Sequence, residues 1–192
     1  MENEINIKTV AIILALIIVP IAGILVFNQF NKPNSKIDSL LNKPAPTFSL
    51  NDRNGNTYSS DNLKGKNVVL FFSEGLACYP ACWNQIAQFG LDSRFNTQDT
   101  AALSVVLDTS EDWQKVTQKM DGIDKANIVF DKGGQISRVF GMLSVTSSMR
   151  QGTSPGHTYV IIDKQGIVRY VFDDPSMAIR NDQIASELAK LN

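Results

Sequence analysis

The run of apolar and polar residues predicts an α/β fold, a central mixed β-sheet flanked by helices and preceded by one N-terminal transmembrane helix. Three observations carry this. From residue 44 onward, short strand-like runs alternate with stretches of helical period, the pattern of a sheet layered with helices. The last two strand-like runs are separated only by Asp163-Lys164-Gln165-Gly166, so they pair as an antiparallel hairpin beside strands that helices connect, and the sheet is mixed. Ahead of all this, residues 10–27 (VAIILALIIVPIAGILVF) contain no charged side chain.

That apolar run sets the domain organisation. At 1.5 Å per residue it makes about 27 Å of helix, close to the ~30 Å hydrocarbon core of a bilayer. Pro20 and Gly23 are tolerated in such a span. A cleaved signal peptide would be shorter and end at a small-x-small site, which Phe27-Asn28-Gln29-Phe30 does not offer. The expected organisation is an anchor over 1–31, a polar linker over 32–43 containing Pro33, Ser35 and Ser39, and a folded domain over 44–192. Lys32, Lys36 and Lys43 after the span favour a cytoplasmic domain by the positive-inside rule, against Lys8 with Glu2 and Glu4 before it. A cysteine pair favours the oxidising side, where disulfides persist, and an extracytoplasmic domain on a single-pass anchor is the expectation. The chain holds 18 Lys and Arg against 19 Asp and Glu, a balance that gives no electrostatic case for a nucleic-acid partner.

Within the domain, Pro46–Leu50 and Thr57-Tyr58 flank the turn cluster Asn51-Asp52-Arg53-Asn54-Gly55-Asn56 as a β-hairpin. Residues 67–73 read as a buried strand from an unbroken apolar run. Pro80 suits the first position of a helix, and Trp83, Ile86, Ala87, Gly90 and Leu91 continue it at helical spacing to Phe95. A second buried strand over 101–107 leads to a helix from Ser110 to about Met120. A short strand (127–130), a short helix (136–140) closed by Gly141 and a long Ser/Thr-rich loop (144–155) follow. The hairpin 158–162 and 167–172 and a helix over 181–191 end the chain.

Both cysteines lie at the strand–helix junction: Cys78 on the loop between the strand ending at Ser73 and the helix opening at Pro80, and Cys82 in the first turn of that helix. A helix N-terminus favours negative charge and lowers thiol pKa, so this junction suits a reactive or metal-binding dithiol. On a regular helix, residues four apart hold their Cβ atoms ~5–6 Å apart, too far for the ~3.5–4.5 Å of a disulfide; a bridge is easier with Cys78 off the helix. Two buried cysteines acting as small hydrophobes would be the structural alternative. Zinc fits poorly, since three or four ligands are usual and the chain has a single histidine. That histidine, His157, opens the strand His157-Thr158-Tyr159-Val160-Ile161-Ile162-Asp163; as a base, a charge partner or a third ligand it would join the pair, and otherwise it hydrogen-bonds locally. Glu74 reads as a solvated loop charge and Trp83 as a core residue.

Three passages carry a family resemblance. Lys43-Pro44-Ala45-Pro46-Thr47-Phe48-Ser49-Leu50 resembles the opening G-x-x-A-P-x-F-x-L of the redoxin group (alkyl hydroperoxide reductase/thiol-specific antioxidant, peroxiredoxin-like) of the thioredoxin-like superfamily. Leu63–Phe72 resembles its L-x-G-K-x-V-V-L-x-F strand entry, and His157–Val168 its T-F-x-I-D-x-x-G-x-I hairpin. The resemblance implies a thioredoxin-like redoxin domain, with the loop before the last hairpin lying against the dithiol. It also implies a thiol-dependent oxidoreductase, antioxidant and peroxiredoxin-like or active in thiol–disulfide exchange. Its partners would be a disulfide or peroxide substrate and a thiol reductant, and it would need no cofactor. Cys78, Cys82 and His157 are then the expected catalytic residues: Cys78 attacks as the more exposed thiol, Cys82 resolves the intermediate, and His157 holds a proton or stabilises the thiolate. True peroxiredoxins place Thr or Ser three residues before the peroxide-reacting cysteine, where this chain has Gly75 or Tyr79, and their arginine before the last hairpin stands as His157. A second resemblance, to the Sco-type copper chaperones, rests on the C-x-x-x-C spacing, the anchor and the distal histidine. It implies copper held by Cys78, Cys82 and His157, although Trp83 replaces that family's proline after the second cysteine and Pro80 lies inside the pair.

Overall fold

A computed structural model describes residues 37–191 and, ahead of them, Leu16 alone. The chain divides into two units, Met1–Asn34 and Ser35–Asn192, and every element below belongs to the second. The anchor expected over residues 10–27 lies, apart from Leu16, outside the described residues. Among the described residues no helix is long and apolar enough to cross a membrane.

Seven strands form one sheet in the order β2-β1-β5-β4-β3-β6-β7. They are β1 (Ser49–Asp52), β2 (Thr57–Ser59), β3 (Asn67–Phe72), β4 (Thr100–Val106), β5 (Asn127–Phe130), β6 (Thr158–Ile162) and β7 (Val168–Asp173). The central β3, β4 and β5 run parallel, while β1 and β6 join them antiparallel, so the sheet is mixed as expected. Every residue of β3, β4 and β6 is buried, which is why these strands read as continuous apolar runs rather than alternating ones. The period of two survives inside them. Val68, Leu70 and Phe72 enter one core, with Phe48, Phe140 and Met142; Val69 and Phe71 enter the other, with Trp83, Ile86, Trp113, Ile184 and Leu188.

The second core lies beneath α1 (Ala81–Leu91), α2 (Ser110–Gln114) and α4 (Asn181–Ala189); the first is covered by α3 (Gln135–Val139) and the N-terminal segment. Four details depart from the sequence reading. Helix α1 begins one residue later, at Ala81, with Pro80 as its cap and the Pro80 carbonyl accepting from Asn84 N–H at 2.9 Å. It ends at Leu91 because Asp92 turns extended (ψ 113°) and accepts from Arg94 N–H at 3.0 Å, so Phe95 is buried from a turn rather than from the helix. Helix α2 is a single turn capped by Thr109, whose hydroxyl accepts from Asp112 N–H, and a 3-10 turn at Thr117–Lys119 replaces its expected second half. Residues 37–43, read as the end of the linker, are docked: Ile37 is buried in the first core, and Asn42 and Lys43 pair by backbone hydrogen bonds with Val168. An isolated apolar Ile37 in a polar stretch carries too little pattern to signal this.

Candidate functional site

The C-terminal end of β3 delivers the site. After Phe72 the chain passes Ser73 and Glu74, makes a 3-10 turn over Gly75–Ala77, and reaches Cys78 before α1 begins. Asp108, just beyond β4, anchors the turn: its Oδ2 accepts from Leu76 N–H at 2.9 Å and from Trp113 Nε1–H at 3.0 Å. Gly75 makes this close approach. Its φ is +57°, and a Cβ there would collide with the Asp108 carboxylate, crowding Val106 Cβ at 3.2 Å as well. Position 75 therefore has no room for a side chain, hydroxyl-bearing or other. The alternative position, Tyr79, is 66% exposed, its ring set edge-on to Trp83 at 5.0 Å.

Cys78 and Cys82 form a disulfide with their Cα atoms 5.3 Å apart. The bridge is possible because Cys78 precedes the helix while Cys82 lies in its first turn, Cys82 N–H donating to the Cys78 carbonyl at 2.9 Å. The Tyr79–Pro80 peptide between them is cis. Exposure separates the two sulfur residues little, at 3% for Cys78 and 1% for Cys82; both are buried, and Cys78, expected to be the more exposed of the two, is so only marginally.

Their surroundings differ far more. Cys78 Sγ faces the Met177 thioether at 3.8 Å. Cys82 Sγ lies 3.6 Å from His157 Nδ1. His157 is buried beside Phe71 (ring centroids 4.6 Å apart), and its Nε2 lies 2.9 Å from Tyr159 Oη. Tyr159 Oη in turn donates to Gln85 Oε1 at 2.9 Å. The same Oε1 accepts from Arg180 backbone N–H at 2.7 Å, and Gln85 Nε2 donates to Asn181 Oδ1 at 2.8 Å. Burial holds the His157 pKa down near 4, against the pull of Asp174, so the imidazole is neutral at physiological pH. Burial likewise raises the Tyr159 phenol, which stays protonated.

Two further segments frame the pair. Glu74, expected in solvent, is buried: its Oε1 accepts from Met149 N–H at 2.7 Å and Arg150 N–H at 3.2 Å, and its Oε2 is buried with no hydrogen-bond partner among the described residues. That carboxylate pins the long loop 144–155, whose other end is tied by Thr146 and Ser147 N–H to Asp173. Residues 174–180 wrap around Asp174, which accepts from Ser176, Ala178 and Arg180. Burial would raise its carboxyl, but these donors hold it near 2. This strap brings Met177, at φ +50°, over Cys78. Trp83 packs in the core, tilted on Trp113 at 5.7 Å, as expected of it.

Cys78, Cys82 and His157, dispersed along the chain, thus converge: one donor atom from each lies within 4.8 Å of the others. With the disulfide reduced, two thiolates and a neutral imidazole could hold a soft cation. Sequence reasoning missed Gln85, Tyr159 and Met177. Two of these carried a signal: Tyr159 shares a strand face with His157 two residues earlier, and Gln85 shares a helix face with Cys82. Met177, 99 residues from Cys78, carried none.

With this geometry in place, comparison with known proteins decides the family. The profile of the AhpC/TSA family matches residues 41–171. The chain belongs to the AhpC/TSA family. Chloroplastic peroxiredoxin Q of Triticum aestivum is 27% identical over 131 residues, 67% of this chain and 57% of the relative. That of Sedum lineare is 28% identical over 131 residues, 67% of this chain and 66% of the relative. The chain therefore spans less than two thirds of the length of these relatives. Among solved structures, a peroxiredoxin-like protein from Aquifex aeolicus superposes with a TM-score of 0.66 at 16% identity, over 79% of this chain and 87% of that one. Peroxidoxin BcpB from Mycobacterium tuberculosis gives 0.64 at 21% identity, over 79% and 97%. At such identities the structures establish the thioredoxin-like fold, and the Sco resemblance takes no support from family or relatives.

Proposed function

We propose that this AhpC/TSA family member is a thiol-dependent oxidoreductase, tethered to a membrane by residues 10–27, whose Cys78–Cys82 pair exchanges with disulfides or dithiols of a partner on the extracytoplasmic side. The observation that carries the reading is the pairing itself: a disulfide at a helix N-terminus with one sulfur 3.6 Å from a neutral imidazole. Cys78, ahead of the helix and marginally the more open, attacks a disulfide; Cys82 then displaces the bound group, and His157 takes the Cys82 proton. A thiol reductant returns the pair to the dithiol.

Thiol–disulfide exchange is preferred to peroxide reduction because position 75 is filled by the Asp108 carboxylate and Tyr79 faces solvent. The chain therefore lacks the hydroxyl that the peroxiredoxin resemblance calls for. The test is to mix the reduced full chain with glutathione disulfide and, separately, with hydrogen peroxide. Both thiols should vanish into one intramolecular disulfide in the first mixture, faster than free cysteine reacts, while the peroxide rate stays near that of free cysteine. A glutathione disulfide rate no faster than that of free cysteine overturns the reading, and a fast peroxide rate moves the substrate to peroxides. One equivalent of Cu(II) added to the reduced chain should leave it without an intense thiolate-to-copper band; such a band revives the copper alternative. Extraction of the chain by carbonate alone would remove the membrane tether.

A further inference from the structure

We propose that Gln85 and Tyr159 are positioning residues that hold His157 as the Nε2–H tautomer, so that the lone pair of Nδ1 faces Cys82 and the imidazole serves as base to the resolving cysteine. This deepens the function proposed above and rests on it.

The assignment follows from counting hydrogens along one buried chain of groups. Arg180 backbone N–H can only donate, and it donates to Gln85 at 2.7 Å, which identifies the amide atom there as the oxygen. The amide nitrogen of Gln85 is thereby turned to Asn181 Oδ1. An amide oxygen cannot donate, so the 2.9 Å contact between Gln85 Oε1 and Tyr159 Oη uses the only hydrogen of the phenol. Tyr159 Oη has then only lone pairs to offer His157 Nε2, 2.9 Å away, and Nε2 must carry a hydrogen. In a neutral ring the other nitrogen is bare. That nitrogen is Nδ1, the atom 3.6 Å from Cys82 Sγ. A backbone amide fixed by the start of α4 thus decides which imidazole nitrogen carries the hydrogen, and leaves bare the one that faces the sulfur.

The consequence is a division between the two cysteines. In the reduced protein, Cys78 thiolate attacks a substrate disulfide R–S–S–R′; a Cys78–S–S–R bond forms and R′–S⁻ leaves with the electron pair of the broken bond. The Cys82 S–H then gives its proton to His157 Nδ1, and Cys82 thiolate attacks Cys78 Sγ. The Cys78–Cys82 bond forms, R–S⁻ departs, and it takes up the proton from the imidazolium. The dithiol is oxidised by two electrons, and the substrate disulfide is reduced to two thiols. The base acts only in the second displacement, so its loss slows resolution and spares the first attack.

The chain holds a single histidine, which makes the test direct. Long-range proton–nitrogen correlation of the full chain, labelled at histidine nitrogen, should show a pyrrole-like Nε2 and a pyridine-like Nδ1. Reversed or averaged nitrogens in the unsubstituted protein overturn the proposal. The Tyr159→Phe variant keeps the ring that stacks on Phe71 at 4.9 Å but removes the acceptor of Nε2–H. Its nitrogens should lose the single-tautomer pattern. In rapid-quench trapping with glutathione disulfide, the Cys78 mixed disulfide should persist about tenfold longer, a tenth or less of what general bases typically supply, while the rate at which it forms stays within about twofold. Unchanged resolution in that variant also overturns the proposal. If Tyr159→Phe fails to fold, the nitrogen spectrum of the unsubstituted chain decides alone. Failure to form any mixed disulfide in the unsubstituted protein sinks the oxidoreductase reading instead, whatever the tautomer.

Discussion

The two sulfurs of one disulfide sit in different chemistries. Around Cys78 the neighbours are a thioether, Met177, and the exposed ring of Tyr79 beside it. Around Cys82 they are an imidazole and, beyond it, a file of hydrogen-bonded groups reaching through Tyr159 and Gln85 to α4. One side is soft, apolar and near the surface; the other is polar and closed. The difference teaches that position on the loop or helix, more than exposure, separates the surroundings of the two sulfurs. A buried polar network of this kind is tolerable only when its members satisfy one another, and here Tyr159 and Gln85 each have a partner on either side.

The comparison is broken most severely by deleting either sulfur. Cys82→Ser should leave a long-lived mixed disulfide on Cys78, seen as an added glutathione mass, whereas Cys78→Ser should give neither that adduct nor turnover. Matching adducts in the two variants would erase the proposed asymmetry. The next largest effect is on the Cys82 side and is one of pH. His157 titrates near 4 in the folded chain and near 6.5 when unfolded, so between those values the unfolded chain binds the extra proton. Stability is therefore full above pH 6.5 and falls as pH drops toward 4, by up to about 3 kcal/mol. Urea titrations from pH 7 to pH 4 measure the loss, and His157→Asn should flatten that window. The carboxyls of Asp92 and Asp174, held near 2, contribute mainly below it.

A smaller effect falls on the Cys78 side. Gly75→Ala forces a Cβ against the Asp108 carboxylate at a positive φ, and should cost about 2 kcal/mol in the same urea titration. An unperturbed Gly75→Ala protein would mean that the turn before Cys78 has room for a side chain after all. The mildest change is Met177→Ala, which uncovers Cys78 and should raise the rate of its first attack about threefold, on the order of 0.6 kcal/mol of barrier. Equal acceleration of the resolving step would blur the distinction between the two sides.

Cys78, Cys82 and His157 are legible as residue types in the sequence. Two cysteines four apart at a strand–helix junction, and a histidine at the mouth of the penultimate strand, form a pattern that local periodicity can place. Glu74 was misread, because a charged residue in a loop is ordinarily solvated; only the amides of Met149 and Arg150, brought in from a distant loop, permit its burial. Helix ends were read long at Phe95 and Met120 because apolar spacing continues past the point where Asp92 and the Thr117–Lys119 turn divert the backbone.

The order of strands and helices, the buried central run 67–73, the cysteine pair and the hairpin that presents His157 are written in local apolar period and turn chemistry, which act over a few neighbouring residues. The facing of Nδ1 toward Cys82, the Asp108 carboxylate in the space beside Gly75, and Met177 over Cys78 were settled only by tertiary structure. Each joins residues 33 to 99 positions apart, and hydrogen bonds and steric exclusion between such residues exist only once the sheet has assembled.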